Sequence, residues 1–247
     1  MTDPEFLRDS DRDRGGISGV VVGIVTDNAD PEKLGRVKLT FPWRDADDES
    51  YWARVATPMA GAGMGTYFLP EVDDEVLVAF EDGDIHKPFV IGSLWNGKQK
   101  PPQKNKEGKN DVREVRSRSD HTIQFDDAKE GSITIQTSKG NEIVIDDSGG
   151  SETIAIRDDE QKNTITLDSS SGEVSIDADS KLKLSAQTVD ITGKKKVKIT
   201  GNQQVNISSK AKLAMSSKGQ VNLSSNSMMG IKSTGILTVK GSLIQLN

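Results

Sequence analysis

Three adjacent aspartate pairs, Asp126/Asp127, Asp146/Asp147 and Asp158/Asp159, have the clearest capacity for chemistry in this 247-residue chain. Two carboxylates flanking a sugar bond can cleave it, one as acid and the other as base or nucleophile. Here each pair follows or flanks a short apolar pair, where aspartate is favoured for bonding to the turn backbone. No long insertion leaves the surrounding repeat to build a cleft, and a site needs a pocket. The expectation is therefore no catalytic residue. His86 and His121 are isolated, and the glycine-aspartate nonapeptide of calcium-binding β-rolls is absent, so neither metal nor cofactor is expected. Gly61-Ala62-Gly63-Met64-Gly65 has the look of a phosphate cradle. It runs into Thr66-Tyr67-Phe68-Leu69-Pro70 and not into a helix, which removes the dinucleotide reading.

What positions these residues is a repeat. From Leu182 onward an apolar residue, any residue and a second apolar residue recur every eight positions: Leu182/Leu184, Val189/Ile191, Val197/Ile199, Val205/Ile207, Leu213/Met215, Val221/Leu223, Met229/Ile231, Leu237/Val239 and Ile244/Leu246. Looser units precede them at Ile123/Phe125, Ile133/Ile135, Ile143/Ile145, Ile154/Ile156, Ile165/Leu167 and Val174/Ile176. Apolar residues at i and i+2 share one side of a strand, whereas helical burial needs i, i+3 and i+4. A strand with two inward side chains cannot offset the entropy of ordering its unit, about 1 to 2 kcal/mol per residue for the backbone. One strand and one turn per unit is also too little chain to close a prism alone. Three identical chains wound together close it by cyclic symmetry. The expected core of this homotrimer takes one residue from each unit: Ile123, Ile133, Ile143, Ile154, Ile165, Ile176, Leu184, Ile191, Ile199, Ile207, Met215, Leu223, Ile231, Val239 and Leu246.

Hydrophobic content of 33% and aromatic content of 4% resemble a disordered chain in bulk. The eight-residue grid excludes disorder. With no cysteine, no disulfide staples the prism. The charged segment 1–16, read as a flexible arm, lacks the apolar run of a signal peptide, and no stretch reaches the roughly 20 apolar residues of a membrane span. Assembly in the cytoplasm is expected.

Residues 17–97 differ. Strands are expected at 20–26, 36–41, 52–56, 75–80 and 88–94, separated by turn residues such as Asp27-Asn28-Ala29-Asp30-Pro31 and Glu81-Asp82-Gly83-Asp84. Five short strands in about eighty residues suit a small closed barrel of the OB type. Residues 18–97 carry fourteen acidic and six basic side chains, which opposes nucleic-acid binding. Trp43, Trp52, Tyr67 and Trp95 are read as barrel core and trimer interface rather than a base platform. Residues 98–116, with Pro101-Pro102, form a linker, and 117–247 the spike.

The run Pro70-Glu71-Val72-Asp73-Asp74-Glu75-Val76-Leu77-Val78-Ala79-Phe80-Glu81-Asp82-Gly83-Asp84, followed by Pro88-Phe89-Val90-Ile91-Gly92-Ser93-Leu94-Trp95-Asn96-Gly97, resembles the OB domain of phage baseplate assembly protein V and of VgrG spikes. Ser117-Arg118-Ser119-Asp120-His121-Thr122-Ile123-Gln124-Phe125 looks like the neck where such spikes begin their β-helix. Asp73 and Asp120 stand where the family has glycine. The resemblance implies an all-β protein, an OB-fold collar followed by an intertwined triple-stranded β-helix. It would be a structural spike at the tail baseplate tip of a phage or injection particle, which pierces a cell envelope. The hub domain fused ahead of the OB domain in VgrG proteins is not in this sequence, which implies a separate trimeric hub protein. Some related spikes bind iron through a His-x-His tip motif. This sequence lacks it, which implies a separate PAAR-like cap on Ser242, Leu243, Ile244, Gln245, Leu246 and Asn247. The alternatives are a trimeric adhesin or a polysaccharide-depolymerising fibre, the first of which needs a receptor-binding head that the repeat leaves no room for.

Charge reverses along the repeat. Residues 126–180 hold fourteen acids and four bases, and residues 181–247 eleven lysines and one acid, Asp190. Lysines pointing outward keep exposed strands from pairing with other molecules. Attraction to an anionic membrane is the other reading.

Overall fold

The structure, a computed structural model, describes residues 16–45, 48–128, 131–150 and 152–245. The expected arm, apart from Gly16, and the expected core and tip residues Leu246 and Asn247 lie outside the described residues. The chain divides into two compact units, Met1–Lys183 and Leu184–Asn247. Among the described residues every regular element is a strand or a single 3-10 turn, and no helix is long and apolar enough to cross a membrane.

The first unit opens with a closed barrel of β1 (Val20–Asp27), β2 (Arg36–Thr40), β3 (Ala53–Val55), β6 (Glu75–Phe80) and β7 (Pro88–Leu94), in the order β1-β2-β3-β7-β6. All pairs are antiparallel except β3 with β7. Alternation along β2 and β6 sends Val37, Leu39, Val76 and Val78 inward, where with Val25, Phe41, Ala53, Phe80 and Val90 they form the core. Full burial of each Leu or Val side chain contributes about 1.5 to 3 kcal/mol. None of the four expected aromatics belongs to this core: Trp43, Tyr67 and Trp95 are exposed and Trp52 is half-buried. Five Val, one Leu, one Ala and two Phe side chains fill the interior of so narrow a barrel. The glycine-rich run forms a two-stranded ribbon, β4 (Ala60–Gly61) with β5 (Met64–Gly65).

Two ends of the barrel are distinct. At one end the β2–β3 and β6–β7 connections meet: Tyr51 packs edge-on to His86 at 5.1 Å, Phe41 lies 5.5 Å from Trp43, and Ile17 donates its amide to the Gly83 carbonyl at 2.9 Å. At the other end the chain leaves toward the sheet. There Gln99 donates to Asp74 at 3.0 Å, and Arg118 pairs with Glu71 at 3.1 Å. The β1–β2 loop is clamped by Asp30, which accepts bonds from Arg36 Nε at 2.9 Å and Nη2 at 2.7 Å and from the Leu34 amide at 2.9 Å. These bonds to its charged form, Arg36 foremost, hold the Asp30 carboxyl well below the usual carboxylate range.

Beyond the barrel, β8 (Val112–Arg116), β9 (Thr122–Asp126), β10 (Ser132–Gln136), β11 (Glu142–Asp146), β12 (Thr153–Arg157), β13 (Thr164–Asp168) and β14 (Glu173–Asp177) form a seven-stranded sheet in sequence order. Two expectations differ here. The strands are five residues long, and each pairs antiparallel with its neighbours in the same chain. The linker also ends earlier than expected, because β8 lies within 98–116. Reversal is possible because each hairpin contains a residue with positive φ: Asp120, Gly131, Gly140, Gly149 with Gly150, Gln161 and Gly172.

The second unit keeps the octad in another form. It bends at Gln187 and then at Lys194–Lys195, Asn202–Gln203, Lys210–Ala211, Lys218–Gly219, Asn226–Ser227 and Thr234–Gly235, every eight residues. None of its described residues has positive φ, and none is paired in a ladder within the chain.

Candidate functional site

The surfaces able to act are the apolar faces left bare by these two ways of folding. In the sheet, antiparallel register sorts the expected core residues into two cross-strand ladders on one face. One runs Ile123, Ile135, Ile143, Ile156, Ile165, Ile176, and the other Phe125, Ile133, Ile145, Ile154, Leu167, Val174. Ile133 and Ile154 thus lie on a different ladder from Ile123, Ile143, Ile165 and Ile176. A reading that treats all strands as parallel cannot see this, because each reversal swaps the first and second members of a pair. The ladders remain open to solvent, with Ile133 38% and Ile176 52% exposed. Val115 extends the first ladder opposite Ile123, and Arg113 stands opposite Phe125 in the second, ion-paired with Asp127. A search for paired apolar residues missed Val115 because Arg113 occupies the partner position. Its eight-residue spacing from Ile123 was the available signal.

In the second unit exposure alternates with the octad. First members, such as Val197 and Met229, are 47% to 58% exposed. The assigned core members Leu184, Ile191, Ile199, Ile207, Met215, Leu223, Ile231 and Val239 are 64% to 72% exposed. Ile236, Met228 and Leu243 are more exposed still, at 93%, 86% and 76%. Ser242, Leu243, Ile244 and Gln245 of the expected tip are exposed as well. Exposed apolar residues in such number mark an interaction site in each unit.

The opposite face of the sheet is mostly polar, with Val144 and the buried Ala155 side by side in its middle row. Asp126, Asp146 and Asp168 lie along one edge row, separated by Ser132 and Thr153, and only Asp168 with Glu173 sets two carboxylates opposite each other. Each aspartate caps its turn: Asp126 Oδ1 accepts the Ala128 amide at 2.9 Å, Asp146 the Ser148 amide at 2.8 Å, and Asp168 the Ser170 amide at 2.9 Å. Bonds from Ser170 and Ser171 hold the Asp168 carboxyl at about 2. The Ser148 bonds lower Asp146, and the Asn163 side chain lowers Asp158. A carboxyl held ionised as a turn acceptor lacks the raised pKa of a general acid. His86 Nδ1 lies 2.9 Å from Asp84, while His121 Nδ1 accepts the Ser138 amide at 3.2 Å, so the histidines stay apart. Among the described residues no cluster of three or more His, Cys, Asp or Glu side chains is placed to hold a metal.

A closed five-stranded barrel leading into a sheet with one bare apolar face defines an OB-fold protein built to assemble. Residues 21–95 match the family model of the type VI secretion system/phage-baseplate injector OB domain. The chain is similar to three type VI secretion system spike proteins of Pseudomonas aeruginosa. It is 33% identical to VgrG1a over 93 residues, 36% of this chain and 14% of that protein. With VgrG2a it shares 36% identity over 86 residues, 33% of this chain and 10% of the other. With VgrG4b it shares 35% over 92 residues, 36% and 11% of the two chains. The matches thus cover about a third of this chain and a small part of each relative. The N-terminal barrel is an injector OB domain, and the chain is VgrG-like in it.

Proposed function

We propose that this protein is the homotrimeric central spike of a contractile injection machine, in a phage tail or a related particle. Its role is mechanical and not enzymatic. The observation that carries the reading is two apolar faces bare in an isolated chain, that of the sheet from Ile123 to Ile176 and that of the octads from Leu184 to Ile244, downstream of a barrel that matches an injector OB domain. Two further copies cover these faces, with three octad segments interwoven about a shared axis and the second apolar residue of each octad, such as Ile199 and Ile207, turned toward it. The OB domains form a collar attached to a separate baseplate hub. Sheath contraction concentrates force at the narrow distal end and drives it through a cell envelope. A PAAR-like cap binds Ser242 to Asn247, chiefly by burying Leu243, Ile244 and Leu246. The protein is assembled in the cytoplasm and is located in the particle, at the tail baseplate tip.

Light scattering on the purified protein tests the core of this reading, and three times 26.7 kDa is the expected mass. A folded monomer at micromolar concentration would overturn it. Deletion of Ser242 to Asn247 is expected to abolish co-purification of the cap while preserving the trimer.

A further inference from the structure

Charge changes sign where the barrel gives way to the neck. Residues 98–118 hold eight bases against three acids, whereas the barrel end beside them, residues 27–36 and 70–75, holds seven acids against two bases. Among the described residues one ion pair joins the two regions, Arg118 with Glu71 at 3.1 Å. Other neck bases are paired within the neck or with the sheet: Lys109 with Glu107 at 3.0 Å, Arg113 with Asp127, and Arg116 with Glu114, whose side chain is buried. Lys100, Lys104 and Lys106 on one side, and Asp27, Asp73 and Asp74 on the other, have no ion-pair partner among the described residues.

The fold keeps these two sets apart within one chain. Trp95 and Pro102 form a wall shared by two clefts. Asp74, Glu75 and Lys100 line one of them, with a volume of about 530 Å³. Lys104 and Lys106 line the other, of about 690 Å³, and no acid of the barrel reaches into it. Each charged patch also bears one bare apolar side chain. Trp95 is 71% exposed beside the lysines, and Val72, between Glu71 and Asp73, is 47% exposed at the acidic end. An apolar anchor ringed by charge that its counterpart complements is the anatomy of a specific interface.

We propose that the basic neck of one copy seats on the acidic barrel end of the next, with Lys104 and Lys106 against Asp73 and Asp74 and Trp95 against Val72. The inference rests on the trimer reading above. Three copies about one axis meet through heterologous contacts, in which each offers one patch to one neighbour and a different patch to the other. The neck and the barrel end are two such patches, opposite in charge and adjoining in the fold. A symmetric contact would set lysine against lysine and aspartate against aspartate, which is repulsive. A foreign acidic protein would supply only what the neighbouring barrel already carries. The contact ties each collar domain to the next chain's neck, so that residues 98–111 do not act as a swivel under axial load.

The chain has no cysteine, so an engineered pair reads the contact without background. Val72→Cys with Lys104→Cys in the full-length chain, treated with a short bismaleimide, is expected to give a covalent trimer on a denaturing gel, because each chain joins both neighbours. Either single variant is expected to run as a monomer there. Adding Lys100→Asp and Lys106→Asp to the pair is expected to lower the yield about tenfold at low salt, with the mass by light scattering unchanged. A pair that links only within one chain, links from a single variant, a product containing any other protein, no link at all, or an undiminished yield after charge reversal would overturn the proposal. Light scattering on the unmodified chain separates the two levels. If it reports three chains while any of those results is obtained, the cross-subunit contact is wrong and the spike reading stands. If it reports a folded monomer, both fall.

Discussion

The sheet of 112–177 and the octads of 184–245 use the same motif of two apolar residues flanking a third, yet one closes its ladders within the chain and the other closes none. Spacing and turn chemistry make the difference. Units nine to eleven residues apart leave four to six residues beyond each five-residue strand, and every such turn holds a left-handed residue. An octad would leave three, and its bends hold no left-handed residue among those described. A chain that bends without reversing cannot pair with its own preceding strand. Its backbone donors and acceptors must then find other chains or water. The same apolar motif thus specifies self-pairing or dependence on partners according to what separates its copies.

The largest expected consequence is in amide exchange. At a dilution that separates the chains, amides of β9 to β13 should keep measurable protection, whereas those of Val197 to Leu223 should exchange as an unstructured peptide does. In the trimer the same distal amides should slow by about a thousandfold or more. Equal protection of both regions in the separated chain would remove the distinction.

A core substitution sharpens it. Ile199→Asp should place three carboxylates near one axis in the assembled octads, with a cost of about 3 kcal/mol or more from desolvation and repulsion. Lys198→Asp points to the opposite side and should be tolerated. Thermal unfolding of the two variants compares them directly, and equal midpoints would refute the inward assignment.

Backbone conformation offers a third contrast. Gly140 has φ +93, and a Cβ there would lie 3.1 Å from Asp159 Cβ, so Gly140→Ala should cost about 1 to 2 kcal/mol. Gly219 is outside the left-handed region and a Cβ there meets nothing closer than Ser217 Oγ at 4.0 Å. Gly219→Ala should change stability by less than about 0.5 kcal/mol. Denaturant midpoints of the two variants decide whether turn conformation separates the regions.

Much of this was legible in the sequence. The barrel strands fell within two residues of their expected bounds because short runs rich in Val, Ile and Leu lie between strong turn formers such as Glu81-Asp82-Gly83-Asp84. The facing of the isoleucines was legible for the same reason. The direction of each strand was not, since a period of two is identical in parallel and antiparallel strands. Of the reading of the aromatics as barrel core and trimer interface, the structure removes the core half, because size suggested burial for Trp43 and Trp95 whereas Val, Leu and Phe side chains fill the barrel. The free barrel end was invisible, because it depends on loops from 41–52 and 81–87 meeting in space.

Acid should distinguish the regions more gently. Asp146, Asp158 and Asp168 have lowered folded pKa values, and all belong to the sheet. Their stabilising contribution is present above the ordinary value of 3.8 and is lost as pH falls toward the folded value, about 2 for Asp168. The sheet should therefore weaken between about pH 4 and pH 2, and Asp168→Asn should flatten that dependence. The octads hold one acid, Asp190, and should lack this transition. Acid titration followed by exchange in β13 and in 197–223 separates the two, and parallel loss in both would contradict the assignment.

The smallest effect concerns Asp73 and Asp120, the two positions where glycine is the family's residue. Their φ values are 74 and 61, within the region that costs a side chain with a Cβ. Aspartate tolerates it better than most residues because its short polar chain bonds locally, so the backbone keeps its turn without glycine. Asp73 retains bonds that need no side chain: its amide donates to the Val25 carbonyl at 2.9 Å and its carbonyl accepts from Gln99 at 3.3 Å. Asp120 has only a 3.5 Å approach to Arg116, and its amide donates to the Ser117 carbonyl at 3.0 Å. Asp73→Gly and Asp120→Gly should each relieve strain, offset in part by the greater freedom of glycine in the unfolded chain. A net gain of about 0.5 kcal/mol is expected at each site, read as a higher denaturant midpoint with unchanged slope. Loss of stability at Asp120 alone would mean that its carboxylate, through Arg116, contributes more to the neck than the strained backbone costs.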